Sequence, residues 1–331
     1  MTNILIIFLI GFVLTLVSMP FAIRVLKRIS ASQTILGYVE NHKEKNGTTT
    51  MGGVVFLIIT LFIPLFCLKF DNEWFVVVLV SVFFGVIGFM DDFLKIKFKQ
   101  NLGLRPYQKI IGQVGIAIIF AIFIYFSSIG SKIFLPFSKN DFDMKFFIIP
   151  LVIIVLLAST NSVNLTDGID GLAGSVSFVY LIFLIIISSI FSNQLYNMGE
   201  TGKIIENIKN INMISSLIAG ILLGFLIFNT NKASVFMGDV GSLFLGGYIG
   251  ASACMLGQEF LIIFLGICFV WSAVSVILQV FFFKLKRRRV FKMAPFHHHL
   301  QMSGLSEPKI VVIYSSITMV CGIICLIFYL L

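Results

Sequence analysis

A chain of 331 residues that is 58% hydrophobic and only 12% charged, with mean hydropathy +1.04, carries more apolar surface than a water-soluble core can hide. It reads as an integral membrane protein. The net charge of +9 gives no warrant for nucleic-acid binding, because cytoplasmic loops of membrane proteins collect Lys and Arg on their own.

Ten apolar stretches follow one another: 4–23, 51–68, 74–90, 110–127, 146–158, 172–191, 211–228, 242–256, 260–283 and 310–331. Most reach the roughly 17–25 residues that a helix needs to cross a bilayer. The expected fold is all-α: one integral membrane domain over residues 1–331 with about ten transmembrane helices. The first stretch lacks a basic leading segment and a small-residue cleavage site, so it is expected to be retained as a helix. The fifth and eighth look short and abut polar motifs, as spans that line a site often do. Alternate loops differ in charge. One set holds Arg24, Lys27 and Arg28, the lysines from Lys95 to Lys109, and the run from Lys284 to Lys292. The other holds scattered lysines such as Lys69, Lys132 and Lys203. The basic set is expected to be cytoplasmic, with both termini outside. The five cysteines all fall in apolar stretches and match no zinc or haem spacing, so they read as core residues.

The third stretch ends in Asp91-Asp92, followed by Lys95, Lys97, Lys99, Arg105 and Lys109. Paired acids at a span terminus carry a desolvation and repulsion cost that needs a compensating role. Carboxylates hold hard cations such as Mg²⁺, and neighbouring lysines, Lys109 among them, can hold phosphates. A solvated helix end would explain the lysines but not the acid pair.

The third basic-side loop contains Asn161, Asn164, Asp167 and Asp170, a polar residue at every third position. A regular helix would rotate this row by about 60° per step, so the four cannot face one point. Gly168 and Gly171 suggest that the helix breaks and turns the later acids inward. A simple helix cap would need one such residue, not four. Further on, Asp239 is flanked by Gly238 and Gly241, a weak signal by itself. His297, His298 and His299 follow the last basic run; consecutive histidines diverge and make a poor metal chelate. All five acids and all four histidines fall on the side assigned from Lys and Arg alone. The physical reading is a Mg²⁺-dependent reaction of a phosphorylated substrate with a lipid partner at the inner membrane surface.

Together these segments resemble the polyprenyl-phosphate N-acetylhexosamine-1-phosphate transferases. The likeness runs through His42 and Lys45 to Gly53, Asp91-Asp92 with Asn101 to Leu104 and Gln108-Lys109, Asn161 to Gly171, Phe236 to Gly247, and Met293 to His299. The Met-Ala-Pro-x-His-His-His element is similar to that of the muramoyl branch. The resemblance implies transfer of phospho-MurNAc-pentapeptide from UDP-MurNAc-pentapeptide to undecaprenyl phosphate in a bacterial plasma membrane, with a cytoplasmic site and Mg²⁺. It implies Asp239 as metal ligand, Asp91 as base or positioner of the lipid phosphate, and Asp92 in support. Phe236 would stack on uracil. Lys45 and Asp170 would lie at the nucleoside pocket, beside Thr50, Asn164 and Asp167. His297, His298 and His299 would contact the phosphate, sugar or peptide. Thr48-Thr49-Thr50 stands where the family usually has Thr-Pro-Thr. A sibling transferase using UDP-GlcNAc, an ion-coupled transporter and a membrane scaffold are the alternatives, and a homodimer is kept open as the assembly.

Overall fold

The computed structural model describes residues 2–29, 48–100, 102–135, 141–199 and 202–331. In a bilayer an apolar backbone must satisfy its hydrogen bonds internally, so the apolar stretches become helices. These are α1 (Thr2–Arg28), α2 (Val54–Cys67), α3 (Asn72–Phe98), α4 (Pro106–Tyr125), α5 (Ile148–Thr166) and α6 (Leu172–Asn197). They continue with α7 (Lys203–Asn229), α8 (Gly238–Met255), α9 (Leu261–Leu265), α10 (Ile267–Lys286), α11 (Phe296–Gln301) and α12 (Glu307–Leu330). An antiparallel hairpin, β1 (Lys132–Phe134) with β2 (Asp141–Asp143), lies between α4 and α5. The protein is an all-α polytopic membrane protein.

Among the described residues, eight helices are long and apolar enough to cross a membrane: α1, α3, α4, α5 with its leading 3₁₀ turn, α6, α7, α10 and α12. Of the two stretches expected to be short, the fifth forms one of these eight, while the eighth forms the 18-residue α8, which is not among them; α2, at 14 residues, is also shorter than a span. Expected to end near Ala158, α5 instead runs on through Asn161 and Asn164 to Thr166, because the polar row keeps helical backbone until Asp167. The ninth apolar stretch is divided at Gly266 into α9 and α10.

The position of α8 explains its modest hydropathy. Every residue from Val240 to Met255 is buried, and α3 and α5 pack along it. Protein, not lipid, surrounds it, so small residues such as Gly246, Gly250 and Ser252 suit it better than large apolar ones. On α1 and α10, by contrast, Leu5, Leu9, Val13, Ile277 and Phe281 are exposed, as lipid-facing side chains are. The C-terminal ends of α3 and α5 and the N-terminal ends of α4 and α8 meet at one end of the bundle.

Candidate active site

Asp91 and Asp92 lie in the last turns of α3 and are each only 4% exposed. Asp92 Oδ2 accepts a hydrogen bond from the Val240 N–H at 3.2 Å, which pins the end of α3 to the first turn of α8. That turn carries Asp239. Asp91 Oδ1 accepts from the Leu104 N–H at 2.9 Å. One oxygen from each of Asp91, Asp92 and Asp239 can be chosen so that all three lie within 4.8 Å of one another. Residues 148 positions apart are thus joined.

Two ammonium groups offset this negative charge. Lys95 Nζ lies 2.5 Å from Asp91 Oδ2, 3.4 Å from Asp92 Oδ1 and 3.1 Å from Asp239 Oδ2. Lys109, in the first turn of α4, reaches Asp239 Oδ2 at 3.0 Å. From α5, Asn164 Nδ2 donates to Asp239 Oδ1 at 2.8 Å and to Ser242 Oγ at 2.9 Å. Hard carboxylate oxygens drawn from two helices are the donor chemistry that Mg²⁺ takes, so these residues fit such an ion. The acids sit at helix ends rather than at mid-span, unlike the ion sites of the transporter alternative.

The other expected residues surround this cluster. Residues 49–53 pair with 235–237: the Phe236 N–H donates to Thr49 O at 2.8 Å, and the Gly52 N–H to Phe236 O at 2.9 Å. Thr50 is buried in this seam, and Phe236 is half-buried. The break expected after the polar row is present, with α5 ending at Thr166 and α6 starting at Leu172. In the intervening turn Asp170 Oδ2 accepts from the Ala233 N–H at 3.1 Å. Packing around the Asp167 carboxyl raises its pKa well above the usual carboxylate range, and the charges of Asp239, Asp92 and Asp170 add to that. Lys45 lies outside the described residues, as do His42 and Asn101.

The histidines divide. His297 is fully buried, and a methyl group at Gly168 would overlap its Nε2 edge. The ring of His298 lies 4.3 Å from that of His297, centroid to centroid. Burial, with His298 adding to it, holds the His297 pKa well below its ordinary value. His299 is instead stacked on Phe296 and accepts at Nδ1 from the Lys292 N–H at 3.1 Å. The structure therefore brings His297 and His298 to the 167–171 turn, and it occupies His299 in the packing of its own loop.

The family model described as "Glycosyl transferase family 4" matches residues 74–257, the stretch that holds the acids, Lys95, Lys109, Asn164 and Phe236. The chain belongs to glycosyl transferase family 4. It is also 41% identical to the phospho-N-acetylmuramoyl-pentapeptide-transferase of Clostridium novyi (strain NT), over 97% of this chain and 94% of that protein. The protein of the same name from Halalkalibacterium halodurans is 37% identical over 92% and 91%. That of Campylobacter jejuni (strain RM1221) is 41% identical over 96% and 92%.

In this glycosyl transferase family 4 chain, Lys95 is read from the sequence only as one of a run of phosphate-holding lysines, whereas it is the central counter-charge to the acids, which its place one helical turn after Asp91 could have signalled. Two further residues of the site have no place in the sequence analysis. Asn229 carries no such signal: its Oδ1 accepts from the Gly171 N–H at 3.1 Å and its Nδ2 donates to Val235 O at 2.8 Å, which joins the third and fourth loops. Gln113, whose Oε1 accepts from Asn161 Nδ2 at 2.9 Å, is likewise unmarked in sequence.

Proposed function

We propose that this chain transfers phospho-MurNAc-pentapeptide from UDP-MurNAc-pentapeptide to undecaprenyl phosphate, releasing UMP, as a step of peptidoglycan synthesis in the bacterial plasma membrane. The observation that carries the reading is the meeting of Asp91, Asp92 and Asp239 with Lys95 and Lys109 at one end of a membrane-helix bundle. The relatives' shared name supports the choice of donor. The Lys and Arg distribution supports a site on the cytoplasmic side.

The chemistry is a displacement at the sugar-linked phosphorus. An oxygen of the lipid phosphate forms the new P–O bond, and the bond to the bridging oxygen of UMP breaks, with its electron pair leaving on UMP. Asp91, held by the Leu104 N–H and Lys95, orients the lipid phosphate and accepts its remaining proton. Lys95 and Lys109 bring positive charge to the diphosphate oxygens. Asp239 would hold Mg²⁺, with Asp91 and Asp92 offering further oxygens, and the bound ion would neutralise charge that grows on the diphosphate. Asn164 keeps the Asp239 carboxylate in place, and Phe236 offers a ring face to uracil. A phosphate oxygen is already anionic at neutral pH, so no covalent enzyme intermediate is required.

The test is UMP release by the purified full chain in detergent with undecaprenyl phosphate, offered UDP-MurNAc-pentapeptide or UDP-GlcNAc in turn. Turnover with the first and not the second is expected. Equal rates with both would overturn the donor assignment. A sugar-phosphate adduct trapped on Asp91 in protein without lipid would overturn direct displacement.

A further inference from the structure

A glycine inside a helix is costly relative to alanine. Gly88 stands inside α3, buried, one turn before Asp91 and Asp92 on the same face. Its ordinary reading is close helix packing, yet the contact falls on one place in α8. A Cβ at position 88 would run into the carbonyl group of Asp239 and lie 2.6 Å from Val240 N. Those are backbone atoms, and no rotamer change moves them aside. The missing side chain at 88 therefore sets how closely the Asp239 backbone approaches the end of α3. A second glycine stands against Asp91. In the connection from α3 to α4, a Cβ at position 103 would lie 2.5, 2.6 and 2.7 Å from Asp91 Oδ1, Cγ and Oδ2. The three distances are nearly equal, so that atom would press on the face of the carboxyl group. Lys95 holds Oδ2 at 2.5 Å, so the carboxylate is not free to swing clear. Glycine lets the chain pass there and present the next N–H, that of Leu104, to Asp91 Oδ1 at 2.9 Å.

We propose that Gly88 and Gly103 are positioning residues with separate roles: Gly88 seats Asp239 for the cation, and Gly103 seats Asp91 for the lipid phosphate. The cation and the lipid phosphate rest on the proposed function, whereas the two seats rest on the packing alone. One seat lies between α3 and α8 and the other between α3 and the start of α4, so each can be disturbed without the other.

The test reads two quantities on the purified full chain in detergent, neither of them activity. One is Mn²⁺ affinity by electron paramagnetic resonance. The other is hydrogen exchange at the Leu104 amide, resolved by fragmentation mass spectrometry. Gly88→Ala should weaken Mn²⁺ binding about tenfold or more, as loss of a metal ligand's support does, and leave Leu104 exchange at the wild-type rate. Gly103→Ala should speed Leu104 exchange about tenfold, the loss of one hydrogen bond to a charged group, and leave Mn²⁺ affinity at wild type. In the UMP-release assay Gly103→Ala should also raise the KM for undecaprenyl phosphate, again about tenfold. Gly115→Ala, where a Cβ would meet nothing within 4 Å, should match the wild type throughout. Should a glycine variant fail to purify, two variants that remove bulk keep the question open to measurement. Asp239→Ala must lose Mn²⁺ and keep Leu104 exchange slow, and Asp91→Ala must free the Leu104 amide. The proposal is overturned if both glycine variants move the same quantity, if either leaves its own quantity unmoved, or if Leu104 exchanges as fast in the wild type as in Asp91→Ala. A wild type that binds no Mn²⁺ would overturn the metal reading together with the role of Gly88, and Leu104 exchange would still decide the role of Gly103.

Discussion

Asp239→Asn removes one charge from the centre of the site and changes the side-chain size very little. In the structure Asp239 Oδ2 lies 3.1 Å from Lys95 Nζ and 3.0 Å from Lys109 Nζ, and the oxygens of Asp91 and Asp92 come within 4.8 Å of those of Asp239. At an effective dielectric constant of about 20, each ammonium contact is worth about 5 kcal/mol and each carboxylate pair costs about 3–4 kcal/mol. Two attractions against two repulsions leave a deficit of roughly 4 kcal/mol before solvent screening, and partial exposure of Lys95 and Asp239 reduces it. The neutral variant should therefore insert, fold and purify. Catalysis has no such cancellation. In the proposed mechanism Asp239 would hold the Mg²⁺ that offsets charge growing on the diphosphate, a stabilisation of several kcal/mol that the neutral amide would forfeit. Turnover should fall about 10³-fold, equivalent to about 4 kcal/mol. The assay is UMP release at saturating substrates, paired with Mn²⁺ titration of the purified protein by electron paramagnetic resonance. A variant that keeps a tenth of wild-type turnover, or that binds Mn²⁺ as tightly as wild type, would refute the reasoning.

Phe236→Ala should raise the KM for the nucleotide substrate about tenfold with kcat little changed, because stacking a base on a ring is worth about 1–3 kcal/mol. Competition by UMP reads the same contact, and an unchanged inhibition constant would reject this placement of uracil. His297 makes the chain sensitive to acid. Its folded pKa is depressed, so between that value and about 6.5 the unfolded chain binds a proton that the folded chain refuses. Stability conferred by neutral His297 is complete above about pH 6.5 and falls as pH drops below it, by up to about 1.4 kcal/mol per pH unit. His297→Phe should flatten that slope in a denaturation series from pH 7 to pH 5; an identical slope in the variant would count against it.

What the sequence made legible were features with no ordinary explanation. Asp91-Asp92 at a span end cannot be a lipid-facing feature, and Gly168 and Gly171 after a polar row marked the break that follows Thr166. Segment pairing was less visible. The seam between 49–53 and 235–237 uses backbone groups, which every residue has. Glu307 accepts from the Asp170 N–H across 137 positions, and a lone acid opening a helix already has a sufficient local reason to be there. The separate fate of His299 follows from α11 being helical: successive side chains point about 100° apart, so three in a row cannot share one ligand. The burial of α8 ran against its composition, because hydropathy reports contact with lipid and α8 touches protein.

The groups of the site come from α3, α4, α5 and α8, so its geometry depends on how closely those helices approach. The approach of α5 to α8 runs through Gly246. A Cβ there would lie 2.5 Å from Thr160 Cα and 2.7 Å from Ser159 O, and backbone cannot rotate away as a side chain can. Gly246→Ala must therefore push α5 outward. Asn164 lies one helical turn beyond Thr160 on α5, so the shift is carried to its 2.8 Å bond with Asp239. Overpacking of this kind costs about 1–3 kcal/mol in stability. Displacement of a positioning group by about 1 Å can cost about 10²-fold in rate. The control is Gly115→Ala on α4, where a Cβ would meet nothing within 4 Å. Gly246→Ala should lose about ten- to a hundredfold in kcat/KM, on the scale of that positional effect, while Gly115→Ala stays at wild type. If the two variants turn over alike, the placement of Asn164 does not depend on the α5–α8 contact at Gly246.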